Sequence, residues 1–201
     1  GIFLQSFTAG IAKLSFILSE IVQKRRSVGR TAFGTADGID AKRYLCESEL
    51  FEKAVSEGHE VVVLTISSGL SGTFQSARIA AADFPGKVFV VDSLTASAGE
   101  QVLLARAVAL RDEGKSAAEI FKELEMLKKK VRLFLRVETL EYLKRGGRIS
   151  KTSAVVGGIL NIKPVITLDG GEIRLLGKAR GSKMGNNLLI QEIDKAGGID
   201  F

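Results

Sequence analysis

The sequence predicts an α/β fold, a mostly parallel sheet flanked by helices and followed by a smaller second domain with antiparallel strands. Three observations predict it. Residues 61–66, Val-Val-Val-Leu-Thr-Ile, form an unbroken apolar and β-branched run, the pattern of a strand covered on both faces in a parallel sheet. Strand patterns then alternate with helical ones as far as residue 137, the rhythm of βαβ units. Finally, Gly170-Gly171 stands between Ile166, Leu168 and Ile173, Leu175, which spells a tight antiparallel hairpin.

From the amino end, Ile11, Leu14, Ile17, Leu18, Ile21 and Val22 recur at helical spacing, so the first segment reads as an amphipathic helix packed on a core. Gln5, Ser6, Lys13, Ser15, Ser19 and Glu20 interrupt its apolar residues, leaving no stretch near the roughly 20 residues a bilayer crossing needs. Residues 47–57 follow as a helix ended by Gly58, then the strand at 61–66 and a helix over 71–82. Phe84-Pro85-Gly86 makes a turn, and 87–91 is a second apolar strand ending in Asp92-Ser93. Leu103, Ala107 and Leu110 share a face of a helix over 97–113 that Gly114 stops. Ile120, Leu124 and Leu127 do the same for a helix over 117–129, after which 131–137 reads as a third strand of the alternation. The texture changes from about Thr139: a short helix at 140–145, a double glycine, a small-residue stretch at 153–160, the hairpin, and a helix over 182–195. These patterns divide the chain into an atypical segment at 1–40, an α/β domain at 41–145 and the start of a second domain at 146–201. The chain opens on Gly1 rather than Met and stops at Phe201 just as a turn enters another strand, so both ends are expected to be truncated.

A chain of 201 residues with 45% hydrophobic and 26% charged content buries a real core and is not disordered. Its single cysteine, Cys46, excludes an intramolecular disulfide, and one Cys with one His, His59, is too small a set for a zinc site. A reducing cytoplasm fits best. The net charge of +6 points to acidic ligands or partners, although it is below that of a dedicated DNA-binding domain. Basic residues gather around two turns, Lys144, Arg145, Arg148 and Lys151 about Gly146-Gly147, and Lys178, Arg180 and Lys183 about Gly181. Lys128-Lys129-Lys130 instead closes a helix, where cations favour the negative end of the dipole.

The most informative segment is Ser67-Ser68-Gly69-Leu70-Ser71-Gly72-Thr73. A buried strand runs into it and a helix leaves it, and ligands of parallel sheets collect at the carboxyl ends of strands. Gly69 and Gly72 let the backbone turn tightly, and a helix starting at Ser71 or Leu70 leaves unpaired N–H groups facing the strand end. Such a terminus attracts an anion, and the hydroxyls of Ser67, Ser68, Ser71 and Thr73 add direct hydrogen bonds. The same pattern also makes an ordinary helix cap, and spacing leaves the two uses level.

The tests for catalysis come out negative. Gly69-Leu70-Ser71-Gly72-Thr73 lacks the second glycine of a nucleophile elbow, and His59 precedes the strand. Gly146-Gly147-Arg148-Ile149-Ser150-Lys151-Thr152 carries Ser150 where a P-loop has glycine before its lysine. Glu138 and Glu141 have the spacing of ordinary helix-start residues. What remains is a binding protein with an anion site at 67–73, an apolar small-residue stretch at 154–160 whose Gly157-Gly158 permits either helix packing, the commoner use, or close approach to something bulky, and two arginine-bearing turns. An anion joined to a long apolar tail uses all of them.

Four blocks in order, residues 65–77 (Thr-Ile-Ser-Ser-Gly-Leu-Ser-Gly-Thr-Phe-Gln-Ser-Ala), Val91-Asp92-Ser93, residues 140–149 (Leu-Glu-Tyr-Leu-Lys-Arg-Gly-Gly-Arg-Ile) and residues 160–164 (Leu-Asn-Ile-Lys-Pro), closely resemble the DegV family of bacterial fatty-acid-binding proteins. The resemblance covers about residues 47–195. It implies a DegV-like two-domain fold and a long-chain fatty acid whose tail lies between the domains and whose carboxylate is held at the serine loop, by Ser71 first and Ser68 second, with Gly69, Gly72 and Thr73 shaping it. It implies a carrier, not an enzyme: the bound fatty acid is presented to an ATP-dependent fatty acid kinase that makes an acyl-phosphate for phospholipid synthesis, with no cofactor and no metal on the carrier. Arg148 and Arg180 are the residues it assigns to the kinase or its phosphoryl group, and transient membrane contact is compatible with the job. The Thr-Asp-Ser strand and Thr-Ser-Gln-Pro segment usual in the family do not appear, and residues 1–40 match nothing expected. The competing function is a basic regulatory module that binds nucleic acid or another phosphate-bearing partner through Arg145, Arg148, Lys151 and Arg180. No aromatic stacking set lies among those residues, so nucleic acid is not the expected partner.

Overall fold

A computed structural model describes residues 41–149 and 162–198. They fall into two compact units that separate between Lys130 and Val131. The first holds α1 (Ala41–Ser56), β1 (Val61–Thr65), α2 (Thr73–Ala81), β2 (Val88–Asp92), α3 (Ala98–Asp112) and α4 (Ala117–Leu127). The second holds β3 (Phe134–Arg136), α5 (Glu141–Arg145), β4 (Ile162–Asp169), β5 (Glu172–Arg180) and α6 (Gly181–Lys195). The expected helix within 1–22, the stretch at 153–160 and Lys151 lie outside the described residues.

In the first unit β1 and β2 run parallel, with Val61 opposite Val88 and Thr65 opposite Asp92. Every residue of β1 is buried, as a strand covered on both faces requires. Val61, Val63 and Val88 pack with Phe51 and Ala54 of α1 and Ala77, Ala80 and Ala81 of α2. The small alanines of α2 let that helix lie close on the sheet. Val62 and its register partner Phe89 face the other way, where Phe89 meets Phe121 of α4 at 5.7 Å between ring centroids. Leu103, Leu110 and Leu124, the apolar positions that the helical spacing picks out, are fully buried on α3 and α4. Burying each contributes roughly 1.5–3 kcal/mol. The start of α4 is fastened by a capping box between Ser116 and Glu119, which satisfies two of the donors a helix start leaves open.

The second unit is a three-stranded antiparallel sheet in the order β3-β4-β5. Gly170 and Gly171 both take positive φ, 59° and 88°, as a two-residue hairpin turn of the primed type demands. Leu140, Ile149 and Ile166 form its core with Leu135, Val137 and Leu143 around them. Gly177 and Gly185 mark where α6 lies against the sheet: a Cβ at Gly177 would stand 2.7 Å from a Leu188 methyl, and one at Gly185 would stand 2.9 Å from Arg136 Cδ.

Several boundaries differ from those the sequence suggests, for physical reasons. Only 134–136 of the expected strand at 131–137 is extended, and it pairs antiparallel with β4, Leu135 opposite Ile166, rather than joining the parallel sheet. A strand on its own carries no mark of its partner. This pairing is also why the two units part at 130/131 and not near residue 145. The first helix begins at Ala41, before the expected residue 47, and α2 begins at Thr73 rather than at Ser71 or Leu70. The Ser67 carbonyl accepts both the Leu70 and Ser71 N–H groups, at 3.0 and 3.1 Å, so a separate turn closes before the helix starts.

Candidate functional site

The two loops that leave the carboxyl ends of β1 and β2 lie side by side, because their hydrogen bonds continue the strand pairing. Ser93 N–H donates to the Thr65 carbonyl (3.2 Å) and Ser67 N–H donates to the Thr95 carbonyl (2.9 Å). Asp92, the last residue of β2, ties the loops together: its Oδ1 accepts from Ser68 N–H and from Leu94 N–H, each at 3.1 Å. Ser93 Oγ accepts from Thr95 N–H at 3.2 Å, a side-chain turn of the kind Ser makes readily.

Within the first loop the donors are sorted into used and unused. Ser68 N–H goes to Asp92, Gly69 N–H to Ser67 Oγ, Leu70 and Ser71 N–H to the Ser67 carbonyl, and Thr73 N–H to Ser71 Oγ. Most of the amides expected to face a ligand are therefore spent on shaping the loop. Among the described residues no acceptor meets the N–H groups of Gly72, Phe74 and Gln75, which make up the amino end of α2 with its positive dipole. Gly72 is the cap of that helix and offers no side chain. Its φ is −69° and a Cβ there would meet nothing within 4 Å, so packing inside the loop does not require glycine. An approach from outside would.

The named side chains occupy distinct places. Ser68 and Gly69 are exposed, Ser71 is half-buried, Gly72 is exposed and Thr73 is buried at the first position of α2. Ser71 Oγ lies 2.8 Å from Thr73 Oγ1 and accepts from Thr73 N–H at 3.3 Å. With a lone pair occupied by that amide, its hydroxyl proton is left to donate, either to Thr73 or to an incoming oxygen. Neither Gly69 nor Gly72 is among the residues with positive φ, so the tight turn expected of them is made without left-handed backbone.

The second loop carries features that the sequence spacing did not single out. Leu94 and Ser97 both adopt φ of 53°, a left-handed conformation costing of order 1–3 kcal/mol at residues other than glycine. Thr95 Oγ1 and Glu100 Oε2 are buried without a hydrogen-bond partner among the described residues. Glu100 sits in the first turn of α3, and burial pushes its carboxyl up to about 7, with the Ser97 backbone N–H pulling the other way. Two signals in the sequence mark this loop: Asp-Ser at the end of an apolar strand, and the Ser97-x-x-Glu100 spacing of a capping box.

Other candidates are placed elsewhere. His59 lies before β1, at the opposite end of a five-residue strand about 16 Å long, and is an exposed neighbour of Glu57 at 3.9 Å. Arg148 is half-buried in the turn after α5 and donates to the Gly146 carbonyl. Arg180 is exposed at the end of β5. Glu141 pairs with Arg145 at 2.5 Å. All three arginines belong to the second unit. Among the described residues no group of His, Cys, Asp and Glu could hold a metal ion, and no helix is long and apolar enough to cross a membrane.

Comparison with known proteins gives a consistent result. A family model described as "Uncharacterised protein, DegV family" matches residues 47–198. A DegV domain-containing protein of Lactococcus lactis is 42% identical over 150 residues, covering 72% of this chain and 52% of its own. Among solved structures, a DegV family protein from Thermus thermophilus described by its fatty acid binding is 40% identical with a TM-score of 0.69, over 76% of this chain and 55% of that one. The Streptococcus pneumoniae Fatty Acid Kinase (Fak) B3 protein, loaded with linoleic acid, is 31% identical with a TM-score of 0.66, over 75% and 56%. The chain spans about half the length of the curated relatives it matches.

Proposed function

The chain belongs to the DegV family, and from that premise we propose that it takes part in binding a long-chain fatty acid, with the carboxylate at the 67–73 loop. The observation that carries this is the loop itself: N–H groups at Gly72, Phe74 and Gln75 that meet no acceptor among the described residues, and the hydroxyls of Ser71 and Ser68, all at the carboxyl end of a buried parallel strand. Ser71 is the leading contact, since Thr73 N–H already holds its oxygen in place. The Asp92 carboxylate takes no part in holding the ligand and serves to keep the two loops in register.

The tail sets affinity and the loop sets orientation. Ten buried methylenes supply about 8 kcal/mol at about 0.8 kcal/mol each, several times the roughly 1–3 kcal/mol of a few hydrogen bonds to a charged group. The role is that of a carrier in the cytoplasm that presents the acid to a separate kinase, where the acyl-phosphate is made. Arg148 and Arg180 are the residues for that partner. Support for the kinase comes from the S. pneumoniae neighbour, which is named for a fatty acid kinase.

Mass spectrometry of the organic extract from freshly purified protein tests the ligand, and a stoichiometric C14 to C18 acid is expected. Ser71→Ala is expected to weaken fatty acid binding about tenfold, the loss of one hydrogen bond to a charged group, without unfolding the protein. Equal affinity in the variant would remove Ser71 from the site.

A further inference from the structure

Glu100 is 7% exposed, its Oε2 has no hydrogen-bond partner among the described residues, and the proposed function gives it no task. Buried carboxyl groups normally have partners, so its setting deserves an explanation. It lies three residues after Ser97, whose backbone N–H is the group that acts on its carboxyl and whose φ of 53° with ψ of −121° is a conformation L residues rarely hold. Ser97 ends the loop that contains Thr95. The Thr95 carbonyl receives Ser67 N–H at 2.9 Å, and its hydroxyl lies so close over Gly99 that a Cβ there would be 2.1 Å away. A continuous set of short contacts thus runs from the first turn of α3 to the residue from which the serine loop is built.

We infer that Glu100 is a positioning residue for the serine loop: it acts through Ser97, Thr95 and Ser67 on the anion site, and makes that site's hold on a carboxylate depend on a proton. This rests on the fatty-acid reading of the 67–73 loop. In its neutral form Glu100 tolerates a dry setting and keeps the strained loop closed. Ionised, it draws water to the first turn of α3 and adds a second negative charge to a region that already contains Asp92, against a ligand that is itself an anion.

No other charge does this work. Burial is the largest cause of the raised Glu100 pKa, and no charged side chain acts on it among the described residues. On α3 the nearest cation, Arg106, is engaged by Glu113 and Glu123. On α4, packed against α3, Glu119 is held at the Ser116 cap, Glu123 by Arg106 and Glu125 by Lys128, while Lys122 is exposed. β1 contributes no titratable group, and on β2 Asp92 is held by two amides.

The test uses the full chain, wild type and Glu100→Gln, with oleate as ligand. A binding-competent form that loses its proton near pH 7 weakens apparent affinity about tenfold between pH 6 and pH 8. The fatty acid's own titration is common to both proteins, so the ratio of their dissociation constants is read. The ratio is expected near one at pH 6 and near ten at pH 8, with wild type the weaker. A ratio unchanged across that range overturns the inference. Without ligand, the amide resonances of Ser97 and Ser67 in wild type are expected to shift together with a midpoint near pH 7, and to stay fixed in the variant. If oleate fails to bind at any pH the fatty-acid reading fails, and the Ser67 resonance still decides the role of Glu100: a resonance that does not titrate overturns it.

Discussion

Replacing Gly99 by Ala separates packing from propensity more cleanly than any other single change in this chain. Gly99 lies in the first turn of α3, and it is not among the glycines with positive φ. On helix propensity alone alanine would stabilise the protein by up to about 1 kcal/mol. The structure reverses that sign. The new Cβ would stand 2.1 Å from Thr95 Oγ1 and 3.0 Å from both Thr95 Cβ and Cγ2, so rotating the Thr95 side chain relieves the closest contact without clearing its Cβ. Thr95 cannot retreat freely, because it is buried and its backbone is held by Ser67 and Ser93. Overpacking of this kind costs typically 1–3 kcal/mol, and subtracting a propensity gain of about 1 kcal/mol leaves a net loss of up to about 2 kcal/mol. Guanidinium unfolding monitored by circular dichroism reads it as a lower midpoint at unchanged slope. The double variant Thr95→Ala with Gly99→Ala is expected to recover at least about 1 kcal/mol relative to the sum of the single changes. A Gly99→Ala protein more stable than wild type would refute the close contact of Thr95 with the first turn of α3.

The remaining expectations concern the same edge of the sheet and the second unit. Asp92→Ala strands the Ser68 and Leu94 N–H groups and is expected to lower stability by about 1–3 kcal/mol while weakening fatty acid binding. A variant that binds as wild type would detach Asp92 from the site. Stability against pH offers a measure of Glu100: a folded pKa near 7, above the unfolded carboxylate value, contributes stability that is complete below about pH 4.5 and lost as pH rises through 7. Wild type should therefore lose about 3 kcal/mol relative to Glu100→Gln across that window and level off above it, and a difference constant with pH would place the proton elsewhere. Arg148→Ala with Arg180→Ala is expected to leave fatty acid affinity intact and to reduce acyl-phosphate formation in a coupled assay with the kinase. An unchanged rate would move the partner surface away from these two turns.

Much of the fold could be read from one dimension because it is written in local periodicity. Within the run at 61–66, residues 61–65 are a fully buried strand, Leu103 and Leu110 of α3 and Leu124 of α4 are buried, and Gly170-Gly171 is a primed hairpin turn, since each depends on a few consecutive residues and a short-range rule. The serine loop was legible for the same reason: a Ser/Gly stretch after a buried strand announces itself. Three matters needed the tertiary structure. The partner of the strand at 134–136 is fixed by pairing across more than twenty intervening residues, and a strand's own residues do not encode its neighbour. Which amides of the 67–73 loop remain free depends on Asp92 and Thr95, which reach across from another strand to claim or orient its donors. The setting of Glu100, a carboxyl made reluctant to ionise by burial, exists only once α3 is packed, because desolvation is a property of what surrounds a group and not of the group itself. Sequence by itself thus determined the family, most of the elements and the loop proposed to receive an anion. Tertiary structure alone decided how that place is held and which of its groups are left to act.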